Sequence, residues 1–255
     1  MNQIAPGHYA RKQLLRSSAL VRWSHGSRFR LARELVAPLA GRRLLDYGCG
    51  DGTFLALVQD LFPQALGADV ANDQLADCAA RFAGAPGITF LPTNRLGEPR
   101  YRDRYEVVVC MEVLEHCPDD VQGTVLDQIA EVTAPGGTVV ISTPIEIGPT
   151  LVAKQAARAL VALGGLREYE TRERYHAGEF LRMVLAGPDT AIRRDEYEGD
   201  GGSRFTGHKC FNWRRLQRTI ERRFEVERRM FSPLPLFGAW LNSQVWFVCR
   251  KLAIP

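Results

Sequence analysis

Three features that would assign this chain to a common class are missing from its sequence. None of its six cysteines forms a Cys-x-x-Cys pair, which argues against a zinc knuckle or a disulfide framework and favours reduced thiols. No apolar run approaches the roughly 18 residues of a membrane-spanning helix. The first residues also lack the charged and apolar blocks of a secretory signal. We therefore expect a cytoplasmic protein.

Acidic residues are absent from the first 33 positions, although the whole chain of 255 residues has a net charge of only +4. Seven basic residues lie there, with Tyr9, Trp23 and Phe29 among them. We interpret residues 1–39 as a helical cap over a binding pocket, made of two basic amphipathic helices broken near Gly26. Contact with an anionic membrane surface, binding of nucleic acid and an organellar targeting segment are the other interpretations.

From residue 40 onward, short apolar runs alternate with helical segments. Parallel strands need crossover connections, so this alternation favours an α/β domain over residues 40–255 with helices on both faces of a mostly parallel sheet. The last apolar run, at residues 244–250, follows no helix that could return the chain in parallel. We predict that it forms an antiparallel strand of the same sheet.

The alternation is interrupted at residues 145–207, directly after the fifth strand. This insertion contains two helix candidates, at residues 151–163 and 179–185, a charged stretch at 167–174, and a loop rich in glycine and aspartate at 198–207. So long an interruption between core elements usually determines specificity rather than fold. We expect it to define the substrate.

The glycine turn after the first strand lacks the third glycine of the dinucleotide-binding fingerprint. It begins at Gly48 with the spacing GxGxG, and Thr53 stands where GxGxxG needs glycine. Asp46 ends the preceding strand, and Asp69 ends the next one, near the spacing at which an acid reaches ribose hydroxyls. A carboxylate at the end of the first strand would repel a pyrophosphate, whereas it would attract a cationic amino group. The pattern favours S-adenosylmethionine over NAD.

Four strings of the sequence occur in an order typical of one family. They are LLDYGCGDGT (residues 44–53), ADV (68–70), CMEVLEH (110–116) and APGGTVVISTP (134–144). Together they resemble class I S-adenosylmethionine-dependent methyltransferases over about residues 40–145. The resemblance implies a Rossmann-like α/β fold with a seven-stranded, mostly parallel sheet and an antiparallel last strand.

The resemblance also implies which residues bind the cofactor, S-adenosyl-L-methionine. Gly48 and Gly50 pass beneath it, Asp46 receives its amino end, and Met111 packs near the adenine. Family members often have an acid after the third strand for the adenine amine, and Asn94 takes that place here. The predicted cofactor-binding residues are Asp46, Gly48, Cys49, Gly50, Asp69, Val70, Asn94 and Met111.

Glu112, Glu115 and His116 follow the fourth strand directly, at the edge where open α/β sheets bind ligands. In one helical turn these positions share a face, so they are the predicted catalytic group. Three interpretations stay open. The group holds a divalent metal ion (Mg²⁺, Mn²⁺ or Zn²⁺), or His116 acts without metal as a base or orienting group, or the carboxylates are solvated and His116 only closes the pocket.

The string EVLEH resembles two groups of methyltransferases. One is the ubiquinone-pathway O-methyltransferases; the other is the small-RNA 3′-terminal 2′-O-methyltransferases, which use such a turn and a later histidine to hold a metal. Here GHKCFNW (residues 207–213) is similar to the later segment of the RNA enzymes, with one extra residue. The predicted metal ligands are therefore Glu112, Glu115, His116 and His208.

These patterns predict a methyltransferase that methylates a hydroxyl on a small molecule or a glycan intermediate. One alternative is a metal-dependent RNA 3′-end 2′-O-methyltransferase, which requires salt-dependent RNA binding. The other is a non-catalytic cofactor-binding subunit, which requires cofactor affinity without turnover. The acceptor itself has no recognisable motif in the insertion.

Overall fold

The computed structural model describes residues 4–11, 19–163, 175–199 and 204–252, so the charged stretch predicted at 167–174 lies outside the described residues. The strands are β1 (Leu44–Tyr47), β2 (Ala65–Asp69), β3 (Ile88–Pro92), β4 (Tyr105–Met111), β5 (Thr133–Pro144), β6 (Glu196–Glu198), β7 (Arg204–Thr206), β8 (Phe224–Ser232) and β9 (Gln244–Lys251). The α-helices are α1 (Ala19–Val36), α2 (Thr53–Val58), α3 (Asn72–Arg81), α4 (Asp119–Val132), α5 (Pro149–Leu163), α6 (Ala177–Val184) and α7 (Trp213–Glu221).

One seven-stranded sheet organises the fold, in the order β3-β2-β1-β4-β5-β9-β8. The pairs among β1 to β5 are parallel, and β9 runs antiparallel to both of its neighbours. The predicted Rossmann-like sheet with an antiparallel last strand is confirmed. The strand order reverses between β1 and β4, and ligands of open α/β sheets bind beside the carboxyl ends of strands at such a point.

Apolar side chains cover both faces of the sheet because successive residues of a strand point to opposite sides. On β4, Val108 and Cys110 pack in a core with α4 and α7, whereas Val107 and Val109 face a second core with α1, α2 and α3. Each face is thus closed by helices, as the alternating pattern predicted. Among the described helices, none is long and apolar enough to cross a bilayer.

The helical cap differs from the prediction in one respect. The predicted break near Gly26 is not found, because helix α1 runs without interruption from Ala19 through that residue to Val36. A glycine inside a helix costs only about 1 kcal/mol relative to alanine. Burial of Phe29, Ala32 and Val36 against the sheet outweighs that cost, because these three residues lie on one side of the helix.

The insertion contains α5 and α6, close to the two predicted helices, and a short hairpin that was expected to be a loop. β6 pairs antiparallel with β7, from Glu196 opposite Thr206 to Glu198 opposite Arg204. Tyr197 and Phe205 lie opposite each other on this ribbon, and such aromatic pairs favour strands. The hairpin brings the chain from β7 to His208 at the carboxyl edge of the main sheet.

Candidate active site

A cavity of about 750 Å³ lies at the carboxyl ends of β1, β2 and β4. This volume is in the usual range of small-molecule sites. The structure brings six of the predicted site residues to its wall, namely Gly48, Gly50, Asp69, Val70, Glu112 and His116. Apolar side chains from α4 and the β6–β7 hairpin close the opposite side, among them Val121, Val125 and Phe205.

The glycine turn forms the floor of this cavity. Gly48 and Gly50 have positive φ angles of 78° and 50°, which a residue with a Cβ adopts only at a cost. A Cβ on Gly48 would lie 2.2 Å from the Cγ2 atom of Val113, so the turn also needs glycine for close packing. The backbone N–H of Gly50 donates to the Oδ2 atom of Asp69 at 2.8 Å. This bond ties the turn to the end of β2.

Three carboxyl groups, those of Asp46, Asp51 and Asp69, lie near one another behind the turn. Asp46 is buried at the end of β1, and burial, followed by the charges of Asp69 and Asp51, raises the pKa of its carboxyl to about 8. In the free protein at neutral pH this group is therefore mostly protonated. A cationic ligand group placed next to it would favour the carboxylate.

Four residues predicted for the cofactor do not line the cavity: Asp46, which is buried behind the turn, and Cys49, Asn94 and Met111. Met111 belongs to the same face of β4 as Val109, so it packs towards α1. The side chain of Cys49 is buried in that same core. Asn94 is exposed in the turn after β3, and Thr93 lines the cavity instead.

Glu115, His116 and His208 form a compact cluster beside the cavity. One ligand atom from each residue lies within 4.8 Å of the others. The two Nε2 atoms of His116 and His208 are 3.1 Å apart, and the Nε2 atom of His208 lies 4.0 Å from the Oε1 atom of Glu115. The extra residue in the string GHKCFNW thus does not prevent His208 from reaching the turn after β4.

The carboxyl group of Glu115 is fully buried, and neither of its oxygens has a hydrogen-bond partner within the described residues. Burial, reinforced by the charge of Glu112, raises the pKa of Glu115 well above its ordinary value. Its backbone is held firmly, because the carbonyl accepts from the Oγ1 atom of Thr206 at 3.0 Å and from the guanidinium of Arg194. An unpaired buried carboxyl is costly, so it indicates a missing partner.

His116 has a defined orientation. Its Nδ1 atom lies 3.2 Å from the backbone carbonyl oxygen of Thr206, so Nδ1 carries the proton and donates to that oxygen. The lone pair is then on Nε2, which points towards His208. Burial, and then the neighbouring His208, lower the pKa of His116. The imidazole is neutral at pH 7 and able to accept a proton or bind a cation.

Glu112 stands apart from this cluster, contrary to the expectation of one helical turn. Its φ of 56° breaks the turn, and the following 3₁₀ helix covers only Leu114–His116. Arg28 pairs with Glu112 (Nη1 to Oε2, 3.1 Å), and the hydroxyl of Ser142 donates to its Oε1 atom at 3.1 Å. The guanidinium of Arg28 also donates to the hydroxyl of Tyr9.

Sequence reasoning also missed Arg28 and Asp51 as contributors to the site. Asp51 accepts the backbone N–H of Tyr9 at 2.7 Å and the hydroxyl of Thr53 at 2.6 Å, which docks the N-terminal segment on the glycine turn. Asp51 could have been recognised from the sequence, because it lies inside the GxGxG turn. No local pattern distinguishes Arg28 from the other arginines of α1.

Residues 24–186 match the family model described as a methyltransferase domain. The ubiquinone biosynthesis O-methyltransferase of Bordetella avium is 35% identical over 119 residues, which are 44% of this chain and 46% of that protein. The protein of the same name from Paracidovorax citrulli is 34% identical over 135 residues, which are 48% of this chain and 56% of its own.

Two solved structures show the same fold. The N-methyltransferase NodS from Bradyrhizobium japonicum, in complex with S-adenosyl-L-homocysteine, has a TM-score of 0.56 at 14% identity and covers 94% of this chain and 91% of its own. The methyltransferase domain of bacterial CtHen1 has a TM-score of 0.54 at 16% identity and covers 89% of this chain and 98% of its own.

The chain belongs to the methyltransferase domain family, since the match covers more than half of its residues. This confirms the enzyme class and the methyl donor, S-adenosylmethionine, that the four strings predicted. The chain spans about half the length of the curated relatives that it matches. Among the activities considered, these comparisons do not favour the RNA-end enzyme or the non-catalytic subunit.

Proposed function

We propose that this methyltransferase transfers the methyl group of S-adenosylmethionine to a hydroxyl oxygen of a small molecule or a glycan intermediate. The observation that carries this proposal is the cluster of Glu115, His116 and His208 beside the cavity that the glycine turn forms. A hydroxyl needs help to lose its proton, and the cluster offers a neutral imidazole and a carboxyl group at that place. The names of the curated relatives support an oxygen acceptor.

The methyl donor enters the cavity with its amino end towards Asp46 and its ribose towards Asp69. Asp69 is preoriented for that role, because its Oδ1 and Oδ2 atoms accept the backbone N–H groups of Ala71 at 3.0 Å and Gly50 at 2.8 Å. The sulfonium is already activated, so most of the rate comes from holding the acceptor oxygen in line at about 3 Å. Val121, Val125 and Phe205 exclude water from the side opposite the glycine turn.

His116 is the proposed base. Its Nε2 atom is unprotonated because the carbonyl of Thr206 fixes the proton on Nδ1. It accepts the acceptor's proton while the oxygen attacks the methyl carbon, and His208 hydrogen-bonds to the same Nε2 atom when no acceptor is present. In the absence of a metal, this arrangement alone accounts for a hydroxyl nucleophile.

The same three residues fit a divalent metal ion. The unpartnered carboxyl oxygens of Glu115 point to a missing cation, and the 3.1 Å between the two imidazole nitrogens is close to the roughly 3.3 Å expected for two nitrogens on one tetrahedral ion. When bound, a metal would lower the pKa of an acceptor hydroxyl and orient its oxygen. We propose Glu115, His116 and His208 as its ligands, with Glu112 held outside by Arg28.

Calorimetric titration of the chelator-treated protein distinguishes the two modes. The protein is saturated with S-adenosylhomocysteine and then titrated with Mg²⁺, Mn²⁺ and Zn²⁺, as wild type and as Glu115→Gln, His208→Ala and, for control, Glu112→Gln. The metal site is supported if wild type binds one ion per chain and if Glu115→Gln and His208→Ala lose this binding while Glu112→Gln keeps it. If no ion binds, or if Glu112→Gln loses it equally, the three-residue metal site is refuted.

The oxygen acceptor is tested separately with labelled S-adenosylmethionine and a panel of phenols, sugar hydroxyls and matched amines. Methyl ethers as the main products, with at least hundredfold lower rates in His116→Ala, are expected for a base that contributes about 10²–10⁴-fold. Methylation of the amines alone would refute the oxygen acceptor. We also propose a cytoplasmic location, which the six free cysteines support because a reducing compartment keeps thiols free.

A further inference from the structure

An exposed apolar loop, residues 234–241, connects β8 to β9. Leu236 is 96% exposed, Trp240 68% and Phe237 51%. Leu234 and Leu241 are also exposed, so five large apolar side chains face solvent within eight residues. Monomeric proteins rarely expose such concentrated apolar surface without a binding role.

Hydrogen bonds from two buried side chains hold the backbone of the loop. Asn242 is fully buried, its Oδ1 atom accepts the backbone N–H of Leu234 at 2.5 Å, and its Nδ2 atom donates to the carbonyls of Leu234 at 2.7 Å and Gly238 at 2.6 Å. The hydroxyl of Thr150 on α5 donates to the carbonyl of Ala239. These bonds present the apolar side chains outward in a fixed arrangement.

Positive charge lies directly beside the apolar loop. A groove of about 510 Å³ is lined by Trp240 on the loop side and by Arg214 and Arg229 on the other. Both guanidinium groups lie over the ring of Trp213, at 5.4 Å and 5.7 Å from its centroid. Neither arginine forms an ion pair with any part of the chain that the structure describes. Arg214 donates to the carbonyl of Ala186 and Arg229 to the side-chain oxygen of Gln217, and these neutral partners leave both positive charges uncompensated at a groove that Glu221 also lines.

The apolar loop also lies at the functional edge of the sheet. β9 begins at Gln244, which pairs with Pro144 at the carboxyl end of β5. The cavity and the cluster of Glu115, His116 and His208 are at the carboxyl ends of the neighbouring strands. A surface bound through the loop would therefore be close to the edge where the acceptor is methylated.

We propose that the apolar loop and the two arginines dock this protein onto the surface of an anionic lipid bilayer. Leu, Phe and Trp side chains next to cationic groups are the combination that binds the interface between headgroups and acyl chains. A second copy fits less well, because a twofold contact through this surface would set the same arginines against each other. An anionic bilayer complements both the apolar and the charged part.

The test is sedimentation of the full chain with vesicles of phosphatidylcholine alone and of phosphatidylcholine mixed in equal parts with phosphatidylglycerol. We expect binding to the anionic vesicles that weakens about tenfold or more in Leu236→Glu and about fivefold in Arg229→Gln. Leu57→Glu, at an exposed position on α2, is the matched control and should bind like wild type. Trp23→Glu tests whether vesicle binding depends instead on the basic N-terminal helix α1.

A second measurement follows the loop directly. Trp23 and Trp240 are the exposed tryptophans, whereas Trp213 and Trp246 are buried. In a Trp23→Phe background, the emission of Trp240 should shift to shorter wavelength on anionic vesicles. The proposal is overturned if wild type binds neither vesicle, if Leu236→Glu binds as wild type does, or if only Trp23→Glu loses binding. It is equally overturned if Leu236→Glu converts a dimer into a monomer and vesicle binding is absent.

Discussion

Binding of the methyl donor should be coupled to release of a proton from Asp46. Burial, with the nearby charges of Asp69 and Asp51, raises the pKa of this carboxyl to about 8 in the free protein. The ammonium group of S-adenosylhomocysteine next to Asp46 would restore the carboxylate and lower its pKa in the complex. The ligand therefore binds the ionised form, and its affinity should rise with pH up to about 8.

The size of the effect follows from the fraction of free protein that is ionised. With a pKa of about 8, the carboxylate is about 1% populated at pH 6 and about half populated at pH 8. The affinity should thus increase about fiftyfold between these two values, which is roughly 2.3 kcal/mol. Nearly one proton should be released per ligand bound at the lower pH.

Calorimetry with S-adenosylhomocysteine in buffers of different ionisation enthalpy measures both the affinity and the proton release. Asp46→Asn keeps the shape of the side chain, so we expect a flat pH profile and weaker binding at pH 8. Asp73→Asn, at an exposed position in the first turn of α3, should leave the profile unchanged. Equal wild-type affinity at pH 6 and pH 8, or an unchanged slope in Asp46→Asn, would refute the reasoning.

Three further substitutions test the packing around the site and the loop, each by urea unfolding and titration with S-adenosylhomocysteine. Gly48→Ala should lose ligand binding and about 1–3 kcal/mol of unfolding free energy, since its φ is positive and its Cβ would meet Val113; a variant that binds normally contradicts this. Arg28→Met should lose about 3 kcal/mol because the largely buried carboxylate of Glu112 loses its counter-ion, and adding Glu112→Gln should recover most of it. Asn242→Ala removes three hydrogen bonds and should lose about 2–4 kcal/mol without changing ligand affinity; full stability would show that the loop does not depend on them.

Local patterns predicted the sheet and the glycine turn because both depend on short-range chemistry. A period of two in apolar runs and glycines at fixed spacing are encoded within ten residues. The same period places Met111 on the face of Val109, away from the cavity, so this position was readable from the alternation of β4. The resemblance to the methyltransferase family instead led to the prediction that Met111 packs near the adenine.

Contacts between distant segments were not predictable in this way. His208 reaches His116 across 92 positions, and it was the resemblance to the RNA enzymes, not a local pattern, that placed both residues among the predicted metal ligands. The ion pair of Arg28 with Glu112 likewise depends on where α1 crosses the sheet. The hairpin of β6 and β7 was missed because its strands are three residues each, too short for a clear alternation.

The hairpin has a consequence for the order in which the enzyme is completed during synthesis. The chain emerges from the ribosome with its N-terminal segments first. The glycine turn, Glu115 and His116 therefore exist before the insertion and His208 have been translated. A chain truncated before β7 contains the glycine turn that we assign to the methyl donor. It lacks the carbonyl of Thr206, which orients His116, and the imidazole of His208. Translation thus supplies the groups for the donor before those for the acceptor.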